Sequence, residues 1–240
     1  WGADAVINIG NTHIDPYLLL TKNFGATSAI SNIPPGAEVY TFGINWEKPM
    51  NEDHTGWDLS LEAAYQFGDF GPGATKIDAA GYIFEGWFGW GFGDAGRVHL
   101  GYLLASGDDG SDPTETSAWI PLFEDPHAYN RLGNLDLFAG FGANAADPFN
   151  GGMSNISDIS LGYDWWGGDR HHALVAVHWL SRPEIATYGA NVSDEIGYEL
   201  DLSYDYMYAR NSRLEVGVST LFTGDFFDTY WSPDNTDNIT

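Results

Sequence analysis

Glu199 and Asp201 are carboxylates separated by one residue. In an extended chain they point the same way, about 7 Å apart, a spacing at which paired carboxylates can hydrolyse a glycosidic bond. No nucleophile elbow, phosphate loop, dinucleotide fingerprint or His-Glu-x-x-His motif accompanies them. The pair reads better as part of a charge ladder on one strand face. His171, His172 and His178 raise a second chemistry, metal binding. Adjacent strand residues face opposite ways, and His172 lies about 20 Å along a strand from His178, so these imidazoles do not converge. Asp108, Asp109 and Asp112 raise a third, a calcium site built from carboxylate and carbonyl oxygens. Their spacing is not that of an EF-hand loop, and Asp beside Gly110 is also ordinary turn chemistry. The residues therefore predict a protein that is not an enzyme and carries no cofactor.

The elements that place these residues follow a period of two. From Ile196, alternate residues are Ile196, Tyr198, Leu200, Leu202, Tyr204, Tyr206 and Tyr208, with Gly197, Glu199, Asp201, Ser203, Asp205, Met207 and Ala209 between them. Such alternation predicts a strand with one apolar and one small or acidic face. The same rhythm runs through 57–68, 40–47, 98–104, 159–165, 173–179 and 214–222, and less regularly through 75–92 and 14–24. About nine strands are predicted. Turns are expected at Gly71-Pro-Gly73, Gly93-Asp-Ala-Gly96, Trp166-Gly-Gly-Asp169 and Ala209-Arg-Asn-Ser212. The stretches around 107–134, 142–157 and 182–194 are longer and polar. Short turns alternating with long loops predict an antiparallel up-and-down meander whose two ends differ, as in outer-membrane barrels.

Composition narrows the class. The 240 residues include 34 Asp+Glu against 9 Lys+Arg, a net charge of −25, with 37 aromatics, 30 Gly and no Cys. So acidic a chain lacks the cations that nucleic-acid binding needs. Disulfides and Cys-ligated metals are excluded. No apolar run approaches the roughly 18 residues of a membrane helix.

Three features favour a barrel in a membrane over a soluble sandwich. Several segments alternate over the 9–11 or so residues that a tilted membrane strand needs. Trp46, Trp57, Tyr65, Trp165, Trp179 and the Tyr204/Tyr206/Tyr208 group sit near the ends of apolar faces, where a ring can meet both lipid and water. The opposite faces are small and acidic rather than a Lys/Glu mixture. The predicted fold is all-β: a transmembrane antiparallel up-and-down β-barrel. The start at Trp1 and the polar run 232–238 lead to the expectation that residues 1–240 are one barrel domain, incomplete at one or both ends, within a barrel of roughly 16–18 strands.

Particular residues carry a family resemblance. Leu104-Ala-Ser-Gly-Asp-Asp-Gly110 is followed by Ala118-Trp-Ile-Pro-Leu-Phe123, His127-Ala-Tyr-Asn130 and Gly133-Asn-Leu-Asp136. Ile196-Gly-Tyr-Glu-Leu-Asp-Leu202 precedes Leu221-Phe-Thr-Gly-Asp225. In order and spacing these runs resemble the alginate-export family of bacterial outer-membrane porins. Two departures stand out: the chain is about half the length of family members, and no final strand with a terminal aromatic is visible.

The resemblance implies an outer-membrane diffusion pathway, with lipid and a small hydrophilic solute or saccharide as partners. The family's exporter is understood to use a cationic lumen for a polyuronate. Here the lumen-facing candidates are Asp58, Glu62, Asp164, Glu199, Asp201 and Asp205, with His99, His178 and Arg213 as sparse cations. That balance predicts passage of cations or neutral solutes. Segment 107–134 is the candidate inward loop, with Asp108, Asp109, Trp119, Phe123, His127 and, just beyond it, Asp136 as the constriction candidates. Two other readings stay open on the residues. One is a scaffold barrel sheathing a protein partner such as an electron-transfer cytochrome, in the lumen or periplasm. The other is a soluble secreted carbohydrate-binding β-protein.

Overall fold

The computed structural model describes residues 1–22, 36, 38–70, 76–120, 154–185 and 192–228. Nine long strands carry the fold among them: β3 (Thr12–Lys22), β4 (Glu38–Lys48), β5 (Thr55–Phe70), β7 (Tyr82–Phe92), β8 (Arg97–Ala105), β10 (Ile156–Trp166), β11 (His171–Ser181), β12 (Glu195–Ala209) and β13 (Ser212–Thr223). Four short strands complete the set: β1 (Gly2–Asp4), β2 (Ile7–Ile9), β6 (Ile77–Ala79) and β9 (Glu115–Thr116). No described helix is long and apolar enough to cross a membrane.

All thirteen strands belong to one sheet. The long strands follow one another antiparallel from β3 to β13, each beside its neighbour in this order, with β1 and β2 against β3. Among the described strands, β6 and β9 alone pair in parallel. The sheet is not closed among the described residues. The extended stretch 75–92 resolves into β6 and β7, because β6 turns aside to pair with β9 as well as β5.

The two ends of the meander differ as expected. Residues 49–54, 93–96, 167–170 and 210–211 make the short connections, and at the opposite end the intervals in sequence between consecutive long strands are longer. The Gly71-Pro-Gly73 turn lies outside the described residues.

One face of the sheet is apolar and solvent-bare. Phe42, Trp57, Phe88, Leu100, Leu161, Trp179, Leu202 and Val218 are each exposed. The expected boundary rings Trp46, Trp57, Tyr65, Trp165, Trp179, Tyr204 and Tyr208 are exposed there too, while Tyr206 is half-buried. Alternation puts polar residues on the other face, and several are deeply buried: Gln66, Glu85, Asp158, Glu199 and Asp201 are each 3% exposed or less. A soluble sheet would reverse this arrangement, because exposed apolar area costs about 25 cal/mol per Å² in water. Lipid contact removes that cost.

An apolar cluster closes the long-loop end of the polar face. It joins Ala64, Leu103, Ala105, Trp119, Ile156, Leu180, Val192, Ile196 and Phe226. Ile196 departs from the expected alternation: it is fully buried while Tyr198 is 44% exposed. The register slips beside it, with Leu180 opposite Gly197 and Ser181 opposite Glu195. Gly197 takes φ +131°, and a Cβ there would lie 2.1 Å from the Phe222 carbonyl oxygen, so only glycine permits this bulge.

Candidate functional site

A row of charge crosses the polar face near the short-turn end. Arg97 on β8 donates from Nε and Nη2 to Asp58 on β5, at 2.8 and 2.6 Å. Its Nη1 donates to Asp164 on β10 at 2.9 Å. His99 Nδ1 stands 3.0 Å from Asp164, and His172 Nε2 on β11 approaches its other oxygen at 3.0 Å. His172 Nδ1 then lies 3.2 Å from Asp205 on β12. Carboxylates and nitrogen groups from five strands thus alternate along a row that spans six strands of the sheet. Charge-assisted bonds of this kind contribute about 1.5–3 kcal/mol each. The planar guanidinium suits Arg97 to two carboxylates at once.

Small residues in the pleat make these reaches possible. β7 lies between β5 and β8, and its residue in the gap is Gly89. A Cβ on Gly89 would fall 2.3 Å from Arg97 Nε and 2.4 Å from Asp58 Oδ2. The same device recurs on β3–β5. The Tyr17 ring fills the space over Gly43, and its hydroxyl donates to Glu62 Oε1 at 2.7 Å. The His99 ring covers Gly162, and Trp87 covers Gly101. Large polar side chains are thereby laid along the wall rather than projected from it.

A second group lies further toward the long loops. His178 Nδ1 is 2.7 Å from Asp158, and its Nε2 is 3.7 Å from Asp201. Glu199 is fully buried on the adjoining strand. Between the two groups a cavity of about 920 Å³ opens on the polar face, lined by Lys48, Trp87, Arg97, His99, Trp166 and His178 among others. At the short-turn rim Trp166 stacks between His54 and His172, with ring centroids 4.4 and 5.8 Å apart.

All six lumen-facing candidates therefore share the polar face. Asp58, Asp164 and Asp205 join in one network, Glu62 pairs with Tyr17, and Glu199 and Asp201 lie by His178. Arg213 sits on β13, pairing with Glu215 at 3.1 Å, and its side chain is 64% exposed. Arg97, Tyr17, Glu85 and Asp158 were not among the predicted site residues. Parity alone reaches two of them: if Val98, Leu100 and Tyr102 face one way, Arg97 faces the other with His99, and Asp158 likewise shares a face with Asp164.

The start of the predicted inward loop is ordered against the wall. Trp119 N donates to Ser106 O at 2.9 Å, and Ser106 Oγ donates to Ser117 O at 2.7 Å. Gln66 clasps Ile120: its Nε2 donates to the carbonyl at 2.8 Å and its Oε1 accepts from the amide at 2.9 Å. Trp119 is 9% exposed and belongs to the apolar cluster. Phe123, His127 and Asp136 lie outside the described residues.

The carboxylates of the acidic turn cap backbone amides. Asp108 accepts from Gly110 and Ser117, Asp109 from Ser111, and Asp112 from Thr114. Those bonds hold the Asp109 and Asp112 carboxyls below the usual carboxylate range. Among the described residues no group of three or more His, Asp or Glu is arranged to hold a metal ion.

Comparison with known proteins places this architecture. A family model described as "Alginate export" matches residues 13–237. No curated protein sequence gives a match. Among solved structures, the outer membrane protein opdK from Pseudomonas aeruginosa is 18% identical, with a TM-score of 0.47 over 91% of this chain and 50% of its own. A BenF-like porin from Pseudomonas fluorescens Pf-5 is also 18% identical, with a TM-score of 0.48 over 92% of this chain and 49% of its own. The chain thus spans about half the length of these structures. With nearly its whole length inside the family match, this chain belongs to the alginate-export family of bacterial outer-membrane β-barrel proteins.

Proposed function

We propose that the protein is a porin-like channel for passive passage of small hydrophilic solutes, without covalent chemistry. The observation that carries this reading is the sorting of the two sheet faces. One is bare, apolar and rimmed with Trp and Tyr; the other holds a continuous polar network with an ordered loop segment packed on it. The polar face is the lumen in this reading, and Asp58, Glu62, Asp164, Glu199, Asp201 and Asp205 set its field. Carboxylates outnumber fixed cations there, which favours cations over anions.

Among the described residues the sheet has open edges at β13 and at β1 and β2, which supports one part of a larger single barrel of roughly 16–18 strands. An unpaired strand edge in hydrocarbon leaves N–H and C=O groups unsatisfied at several kcal/mol each. In this reading further strands cover both edges. Liposome swelling tests the reading. Vesicles carrying the protein should swell in isotonic solutions of small sugars and exclude large dextrans. Vesicles that stay as tight as protein-free controls contradict it.

A further inference from the structure

We propose that the cavity between Trp87 and Trp166 is a binding subsite for a neutral saccharide, a proposal that rests on the channel reading. Trp87 is the starting observation. Most large rings of the long strands lie on the apolar face, whereas Trp87, like Tyr17 and Trp166, stands on the polar face, opposite Ser60 of β5 and Gly101 of β8. Lipid does not account for a ring there. It is half-buried and lines the cavity. A Cβ on Gly101 would lie 2.5 Å from Trp87 Nε1, so the indole rests against the wall where only glycine leaves room.

Charge at this place is largely paired. Three carboxylates, Glu47, Asp58 and Asp201, line the cavity beside two fixed cations, Lys48 and Arg97, and the imidazoles of His13, His99 and His178. Two more carboxylates are bonded to lining groups, Asp164 to Arg97 at 2.9 Å and Asp158 to His178 at 2.7 Å, so acids outnumber fixed cations here as on the rest of the polar face. Asp58 is already engaged by Arg97 through two bonds, and Lys48 Nζ donates to the Trp57 carbonyl at 2.6 Å. A polyanion is repelled there, and a cation meets carboxylates that already have partners, Asp58 and Asp164 in Arg97 and Asp158 in His178. A neutral ring with adjacent hydroxyls finds both parts of a fit. The indole meets its C–H face, and the planar carboxylate–guanidinium and carboxylate–imidazole pairs offer neighbouring donors and acceptors. The volume, about 920 Å³, holds a short oligosaccharide.

Maltotriose, trigalacturonate and chitotriosamine, equal in length and different in charge, make the test. Binding is measured by calorimetry on the detergent-solubilised protein, and current block is measured in planar bilayers. Maltotriose should bind and block more strongly than either charged trimer. Trp87→Ala should raise its half-blocking concentration by about tenfold, and Trp87→Phe should hold it within about threefold. No maltotriose binding, an unchanged value in Trp87→Ala, or tighter binding of either charged trimer overturns the subsite. Binding without ion conductance overturns the channel reading and leaves the subsite standing. Conductance without binding does the reverse.

Discussion

Arg97 reaches Asp58 across an intervening strand, with a closest N–O approach of 2.6 Å, because the residue between them is Gly89. Arg97 thus ties β8 to β5, two strands that are not paired with each other in the sheet. The glycine is as necessary to the ion pair as either charge.

Gly89→Ala tests that dependence. Its Cβ would sit 2.3 Å from Arg97 Nε, forcing the guanidinium off Asp58. A loss of about 2–3 kcal/mol is expected, read as a lower urea midpoint for the folded barrel. Gly217→Ala is the control. Its Cβ would meet nothing nearer than 3.5 Å, and the change should stay within about 0.5 kcal/mol.

Arg97→Gln removes the fixed cation between Asp58 and Asp164. It leaves two largely buried carboxylates without their shared donor, so stability should fall by about 2–4 kcal/mol. Cation preference should rise as positive charge leaves the wall. Arg97→Lys should not restore stability fully, because one ammonium cannot present the two-sided fork. Urea midpoints and reversal potentials of the three proteins check this.

Gln66→Leu cuts both bonds to Ile120 and strands a buried amide and carbonyl. The cost is about 1–3 kcal/mol. Segment 115–120 should then detach, seen as faster amide exchange in that segment and a larger single-channel conductance. Deleting 110–130 should also raise conductance, and an unchanged conductance in both proteins refutes a constricting role for this loop.

Asp112 gives a pH dependence. Its carboxylate accepts from Thr114 N and Oγ1 at 2.8 and 2.7 Å. These bonds, the hydroxyl's first, hold its pKa below the unfolded value. A depressed carboxyl contributes its tie above the unfolded pKa and loses it as pH falls through the folded one. The Thr114 amide should therefore stay protected at pH values near the ordinary Asp pKa of about 3.9 and open only below it. Hydrogen exchange at successive pH values reads this out.

How much of this was legible in the sequence depends on what stands beside each residue. β12 announces itself because aromatic and acidic residues alternate with little interruption. Its buried end is different: the bulge at Gly197 moves Ile196 off the face that strict alternation assigns it. β7 hides Glu85 and Trp87, because Gly86, Gly89 and Gly91 blank out the alternation that would reveal them. Tyr17 is masked by the run Leu18-Leu19-Leu20, which reads as apolar on both faces. The short strands β6 and β9 hold three and two residues, too few for any period. Most of all, pairing is a property of register. The acids of the polar face were visible one by one, while the partner of each depends on strands that only the fold sets side by side.

Reversal potential in a planar bilayer under a KCl gradient tests the central claim most directly. Open channels are expected, with cations more permeant than anions and a stronger preference in Arg97→Gln. Strong anion selectivity, or a bilayer that never conducts with correctly folded protein in it, contradicts the account.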